Sequence, residues 1–171
     1  MIDLKDVLAF LKDIDGRLNK HIMLIAVGGT AMVFLNLKES TKDVDFCIES
    51  KYLKDFNNAR KEKEEFRIDI FKDGYIFCQQ LPEDYIKMSI LFKDFSFKNI
   101  ELRCLNPLDI IVTKVNRLNE RDKEDIAALI KTKRIKKERL IQRFDEIKKS
   151  YALSDADLEY NFKWLIKTFF G

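Results

Sequence analysis

The chain has 171 residues, 46% of them hydrophobic and 36% charged, with a formal net charge of +3. That length suits one domain, or a compact core with a helical appendage, and the 14 phenylalanines supply material for a sizeable core. So slight a net charge does not by itself imply a nucleic-acid partner, and no apolar run approaches the ~20 residues that a membrane span needs.

Ile2 to Asn19 is predicted as an amphipathic helix, with Leu4, Val7, Leu8, Leu11, Ile14 and Leu18 at helical spacing and Asp3 as its cap. Met23 to Val27 is an apolar strand. A sharp turn at Gly28-Gly29-Thr30 follows, then a helical pattern from Ala31 to Leu37, for which Thr30 is a reasonable N-cap. Val44 to Ile48 forms a second strand, Lys51 to Glu65 a solvated helix with i,i+4 ion pairs, and Phe66 to Phe71 a third strand. Asp73-Gly74 is a strong hairpin signal with Tyr75 to Cys78 as the return strand. Ile86 to Phe92 and Asn99 to Leu105 are expected to be further strands. From Pro107, with Asn106 as N-cap, the texture turns helical. Leu108, Ile111, Val112, Val115 and Leu118 share one face, Asn119 to Arg121 is a break, and Asp125 to Lys131 resumes the apolar pattern. Lys136 to Ser150 and Ser154 to Phe169 are two more helices. The fold class is therefore α/β (α+β), with an α/β core over 1–105 and a C-terminal helical region over 106–171 packed on it.

Cys47, Cys78 and Cys104 are widely spaced in apolar runs, so they are expected to be small buried residues in a reducing compartment. The lone His21 has no Cys or second His nearby, and no zinc site is expected. The start carries Asp3 and Asp6 where a signal peptide has a basic segment and an apolar core, so the expected location is the cytoplasm.

The chemistry concentrates between Ile22 and Ile48. Two glycines after a strand let the backbone take φ > 0 and let another group approach closely. A helix starting there offers free N–H groups to an anion. Asp43 and Asp45 are two apart on a strand, so their side chains project to one face. Side by side they repel, unless a cation sits between them or one takes a proton. A hard divalent ion such as Mg²⁺ suits that oxygen pair. An exposed strand face has the same alternation of polar and apolar residues; the preceding glycine turn and a later Asp69 favour the chemical reading. Asp69 alone is also what an edge strand paired to Arg67 looks like.

A glycine turn ahead of an Asp-x-Asp strand, with a third carboxylate on a later strand, resembles the nucleotidyltransferase superfamily typified by DNA polymerase beta. The resemblance covers Ile22 to Phe71. The doublet Gly28-Gly29 followed by Thr30 departs from the commoner Gly-Ser form and is similar to a subgroup that includes abortive-infection-type toxins. A weaker likeness runs from Asp109 to Leu129, where Lys114 on one helix and Asp122 on the next match the downstream helices of that subgroup; Asp125 is the alternative to Asp122. The resemblance implies a nucleotidyltransferase-like mixed sheet flanked by helices. It implies that Asp43, Asp45 and Asp69 hold two Mg²⁺, that Gly28, Gly29, Thr30 and Lys114 bind the nucleotide, and that Lys114 and Asp122 belong to the catalytic set. The implied reaction moves an NMP from an NTP to an acceptor, with a tRNA or protein hydroxyl favoured and an antibiotic-like compound as the small-molecule alternative. An antitoxin is the expected partner of a toxin-like chain, and a homodimer is the other expectation, from the aromatic C-terminal segment. The contrasting expectation is a nucleotide- or nucleic-acid-binding module of the same fold without turnover. The basic run Lys131 to Lys137 could contact an RNA or DNA backbone, although such runs are more often solvated helix junctions. Phe162, Trp164, Leu165, Phe169 and Phe170 fit a core or a dimer surface better than a base-stacking platform.

Overall fold

A computed structural model of the chain describes residues 1–61, 63–150 and 156–171. A short strand β1 (Ile2–Asp3) leads into helix α1 (Leu4–Asp15), whose N-cap Asp3 and N3 residue Asp6 form a reciprocal capping box. Strand β2 (Ile22–Ala26) runs into helix α2 (Gly28–Phe34), so the predicted glycine turn, with Gly28 at φ +54°, forms the first residues of the helix. Strands β3 (Ser40–Thr41) and β4 (Val44–Ile48), helix α3 (Ser50–Ala59) and strand β5 (Ile68–Lys72) follow. The solvated helix thus ends earlier than predicted, and residue 62 of its predicted span lies outside the described residues.

Beyond β5 come β6 (Tyr75–Ile76), β7 (Gln79–Gln80), the short helix α4 (Tyr85–Met88), β8 (Ile90–Leu91) and β9 (Ile100–Cys104). Asp73 and Gly74 both have positive φ, as a two-residue hairpin turn requires. The return strand is shorter than predicted. Phe77 and Cys78 also take positive φ and make a second tight turn into β7, which leaves Cys78 exposed while Cys47 and Cys104 are buried. The predicted strand from Ile86 splits into α4 and the two-residue β8. Helices α5 (Pro107–Val115), α6 (Glu120–Thr132), α7 (Lys137–Lys149) and α8 (Ala156–Phe170) complete the chain; the predicted start of the last helix at Ser154 lies outside the described residues.

The seven-stranded sheet has the order β7-β6-β5-β4-β2-β9-β8. It is mixed: β2 is antiparallel to β4 but parallel to β9, and β4 is parallel to β5. β1 and β3 pair separately. The fold is thus the expected α+β arrangement, a mixed sheet flanked by helices. One apolar cluster runs from Val7 and Leu11 of α1 through Leu24, Phe46 and Leu102 of the central strands to Ile110, Leu129 and Leu165 of the last helices. All nine residues of α5 are buried, and the helix packs on α2 on one side and on α6, α7 and α8 on others. Phe144 of α7 and Phe162 of α8 stack with centroids 3.7 Å apart.

Burying all of α5 places Asp109 at 0% exposure. Arg143 of α7 meets it with a two-pronged ion pair, Nε to Oδ1 at 2.5 Å and Nη2 to Oδ2 at 3.0 Å, and Nη1 reaches Asp84 beside α4 at 3.0 Å. Burial pushes the Asp109 carboxyl up and the guanidinium opposes that push. This knot ties the helical layer to the segment leading to β8.

Candidate active site

β4 and β5 are parallel and in register, with Asp45 directly opposite Asp69. Paired residues of neighbouring strands share a face at a strand spacing of roughly 4.8 Å. Asp43 precedes β4 by one residue. All three carboxylates line a single cleft of about 890 Å³, together with Gly29, Lys114 and Asp122. The sheet therefore supplies the acidic floor, and the end of α5 and the start of α6 supply one wall.

Asp45 is 7% exposed, and its carboxyl is pushed up to about 7. Burial is the largest cause, followed by the charges of Asp69 and Asp43; the Lys114 charge and a hydrogen bond from the Gly29 N–H oppose them. The proximity of the three acids is thus felt electrostatically. Their oxygens are not drawn into one cage, however: among the described residues no three His, Cys, Asp or Glu side chains are placed to hold a metal ion. Asp69 Oδ1 instead accepts from Arg67 Nε at 3.0 Å, the pairing expected from its neighbour, although β5 lies between β6 and β4 and is no edge strand. In kind the donors fit a hard divalent cation, being carboxylates with no sulfur or imidazole, and the repulsion raising Asp45 is what such a cation relieves.

The glycine turn serves Asp45 first. Gly28 has φ +54°, and a Cβ there would lie 2.8 Å from Asp45 Oδ2 and 2.9 Å from Phe77 Cζ. A Cβ on Gly29 would lie 2.5 Å from Thr41 Oγ1. Thr30 is not an N-cap: Val27 holds that position, without a side-chain bond. The Thr30 hydroxyl, fully buried, accepts from the Asp45 N–H at 2.8 Å and lies 3.4 Å from the Asp43 carbonyl. It fixes the entry of β4, whereas Gly29 is the residue of the turn that faces the cleft. Thr30→Val should leave that N–H unpaired in the interior and cost about 1–3 kcal/mol. Urea denaturation measures it, and unchanged stability would contradict the clamp.

Lys114 and Asp122 meet at the opposite wall. Lys114 Nζ lies 2.7 Å from Asp125 Oδ2 and 3.2 Å from Asp122 Oδ1, with all three side chains at most 3% exposed. Lys38 completes the pairing of Asp125 at 2.7 Å, and Arg117 that of Asp122 at 2.7 Å. Burial works against the Asp122 charge, but Arg117 and Lys114 outweigh it and hold the carboxyl below its usual range. Asp122 is no solvated helix corner; it is the N3 partner of Asn119 in the capping box of α6. Both alternatives, Asp122 and Asp125, therefore bind the same lysine. Sequence reasoning missed Lys38, Arg67 and Arg117 as cleft cations. Lys38 lies in a polar loop and Arg117 on the polar side of a helical pattern, and only the packing of α6 on α5 brings their carboxylate partners to the cleft.

The family described as nucleotidyltransferase of unknown function (DUF6036) matches residues 2–169 of this chain. No curated protein and no solved structure matches it.

Proposed function

From the premise that the chain belongs to this family of nucleotidyltransferases, we propose that it transfers an NMP from an NTP to an acceptor hydroxyl, favouring a tRNA or a protein side chain, in a toxin–antitoxin setting. The observation that carries the reading is the in-register pairing of Asp45 and Asp69 on parallel strands, with Asp43 beside them, under the Gly29 N–H. Asp43, Asp45 and Asp69 are the residues that would hold Mg²⁺. Bound there, the ion supplies positive charge against the oxygens of an in-line displacement.

The chain's own groups do the rest. Lys38, Lys42, Lys114, Arg117 and Arg121 line the cleft and favour a polyanion such as a triphosphate. Gly29 offers a backbone N–H to the same cleft, while Gly28 and Thr30 shape the segment behind it. Asp122 and Asp125 hold the Lys114 ammonium in place. Tyr75, 49% exposed at the cleft, offers a flat face to a base. In the transfer the acceptor oxygen bonds to the α-phosphorus and the bond from that phosphorus to its bridging oxygen breaks. Pyrophosphate leaves with the electron pair and the hydroxyl proton passes to water.

Incubation with α-labelled NTPs, Mg²⁺ and a mixture of cellular RNA and protein should label an acceptor and release pyrophosphate, and EDTA should stop both. Absence of label together with absence of an NTP-dependent rise in Tm would overturn the reading. The Arg67–Asp69 pair favours a second reading, a nucleotide-binding module without turnover. That module predicts the rise in Tm without any label.

A further inference from the structure

Six of the nine residues from Lys131 to Arg139 are cations, and Glu138 is the one anion among them. This stretch has a net +5 in a chain whose total is +3, so the remainder is slightly negative. α6 ends at Thr132 and α7 begins at Lys137, which gathers the cations on the turn between them. Lys131, Lys133, Arg134, Lys136 and Arg139 are exposed, and among the described residues their side chains make no ion pair. The cleft cations Lys38, Lys114 and Arg117 are matched by carboxylates, whereas the turn gathers five exposed cations without one among the described residues.

Two further features set it apart. Arg134 has φ +50°, a conformation costing a side-chain-bearing residue about 1 kcal/mol that Gly would adopt freely. A cation is kept there despite the strain. The turn also walls a groove of about 340 Å³ against Asn106, Pro107 and Leu108. A membrane surface is a poorer match, because among the described residues the large apolar side chains that are exposed, Met1, Tyr75, Ile90, Leu91 and Tyr160, lie elsewhere. From Asp122 to Lys133 the α6 axis measures about 16 Å. A polynucleotide entering the cleft is long enough to reach the turn as well.

We infer that the α6–α7 turn binds the phosphodiester backbone of a polynucleotide, which makes a nucleic acid the acceptor for the cleft. The acceptor role rests on the transfer reading above; the binding does not. The turn itself makes and breaks no bond.

Fluorescence anisotropy with fluorescein-labelled mixed-sequence RNA and DNA oligonucleotides, over about 50–200 mM KCl, tests it. The wild-type chain should bind RNA, DNA or both, the two probes telling which. The triple variant Lys133→Ala, Arg134→Ala, Lys136→Ala should bind at least about tenfold more weakly at low salt, with the log–log salt slope smaller by about two to three. Arg134→Gly should weaken binding while the Tm holds or rises, which separates charge from folding. No wild-type binding at low salt, an unchanged slope in the triple variant, or capture by phosphatidylserine vesicles in preference to the oligonucleotides overturns the inference. Unchanged oligonucleotide binding in the triple variant removes the turn and leaves the cleft. Persistent NMP transfer in Asp45→Asn removes the cleft reading and leaves the turn.

Discussion

Asp45→Asn should abolish NMP transfer and at the same time stabilise the metal-free protein at neutral and alkaline pH. The two effects share one cause. Asp45 is buried beside two other carboxylates, and its carboxyl titrates near 7 in the folded chain against 3.8 as a free side chain. Between those values the folded state holds a proton that the unfolded state has released. Stability therefore falls as pH rises through this window, by up to about 4 kcal/mol once Asp45 is fully ionised. Asn carries the same shape without the charge and removes that slope. Urea denaturation in EDTA at about pH 5.5 and about pH 8 should show a decline in the wild type that the variant lacks. The lost carboxylate should cost transfer at least about 10²–10³-fold, the scale of removing one preorganised charge-stabilising group. A variant that keeps both the transfer and the pH slope would show that Asp45 is neither strained nor catalytic.

Lys114→Met is the second large effect. The lysine is 3% exposed and lies between Asp122 and Asp125, themselves 1% and 3% exposed. Removing it leaves two buried carboxylates each short of one partner, and breaking a buried pair in this way costs about 3–5 kcal/mol. Arg117 still holds both oxygens of Asp122 and Lys38 one oxygen of Asp125, which places the expected loss toward the lower end. Asp125→Asn added to Lys114→Met should restore part of the loss, because the neutral amide needs no cation; a double-mutant cycle reads that coupling. Lys114 also lowers the Asp45 carboxyl. Without it the acid limb of the pH–activity profile should move to higher pH, a change that a purely structural lysine would not produce. A stability loss below about 1 kcal/mol would mean that the pairing is solvated after all.

Much of the site was legible because it is local. The strand, glycine turn, helix and Asp-x-Asp strand occupy one short stretch, and alternation alone puts Asp43 and Asp45 on one face. The caps at Asp3 and Asn106 and the Asp73-Gly74 hairpin were equally readable, since each is decided by a few adjacent side chains. The errors sit where local signal is weak or competes. Phe77-Cys78 has strand composition yet turns, because β7 must fold back onto β6. Thr30 has the chemistry of a cap, yet its hydroxyl is claimed by the β4 backbone across the sheet.

The sequence by itself determined which segments become strands and helices around the acidic pair, because hydrophobic period and turn chemistry are properties of neighbouring residues. Only the tertiary structure decided that Asp69 stands opposite Asp45, that Arg67 occupies it, and that Lys38, Lys114 and Arg117 share two carboxylates. Those outcomes depend on strand order and register and on how α5 and α6 pack, and such pairings join residues tens of positions apart that carry no mark of one another along the chain.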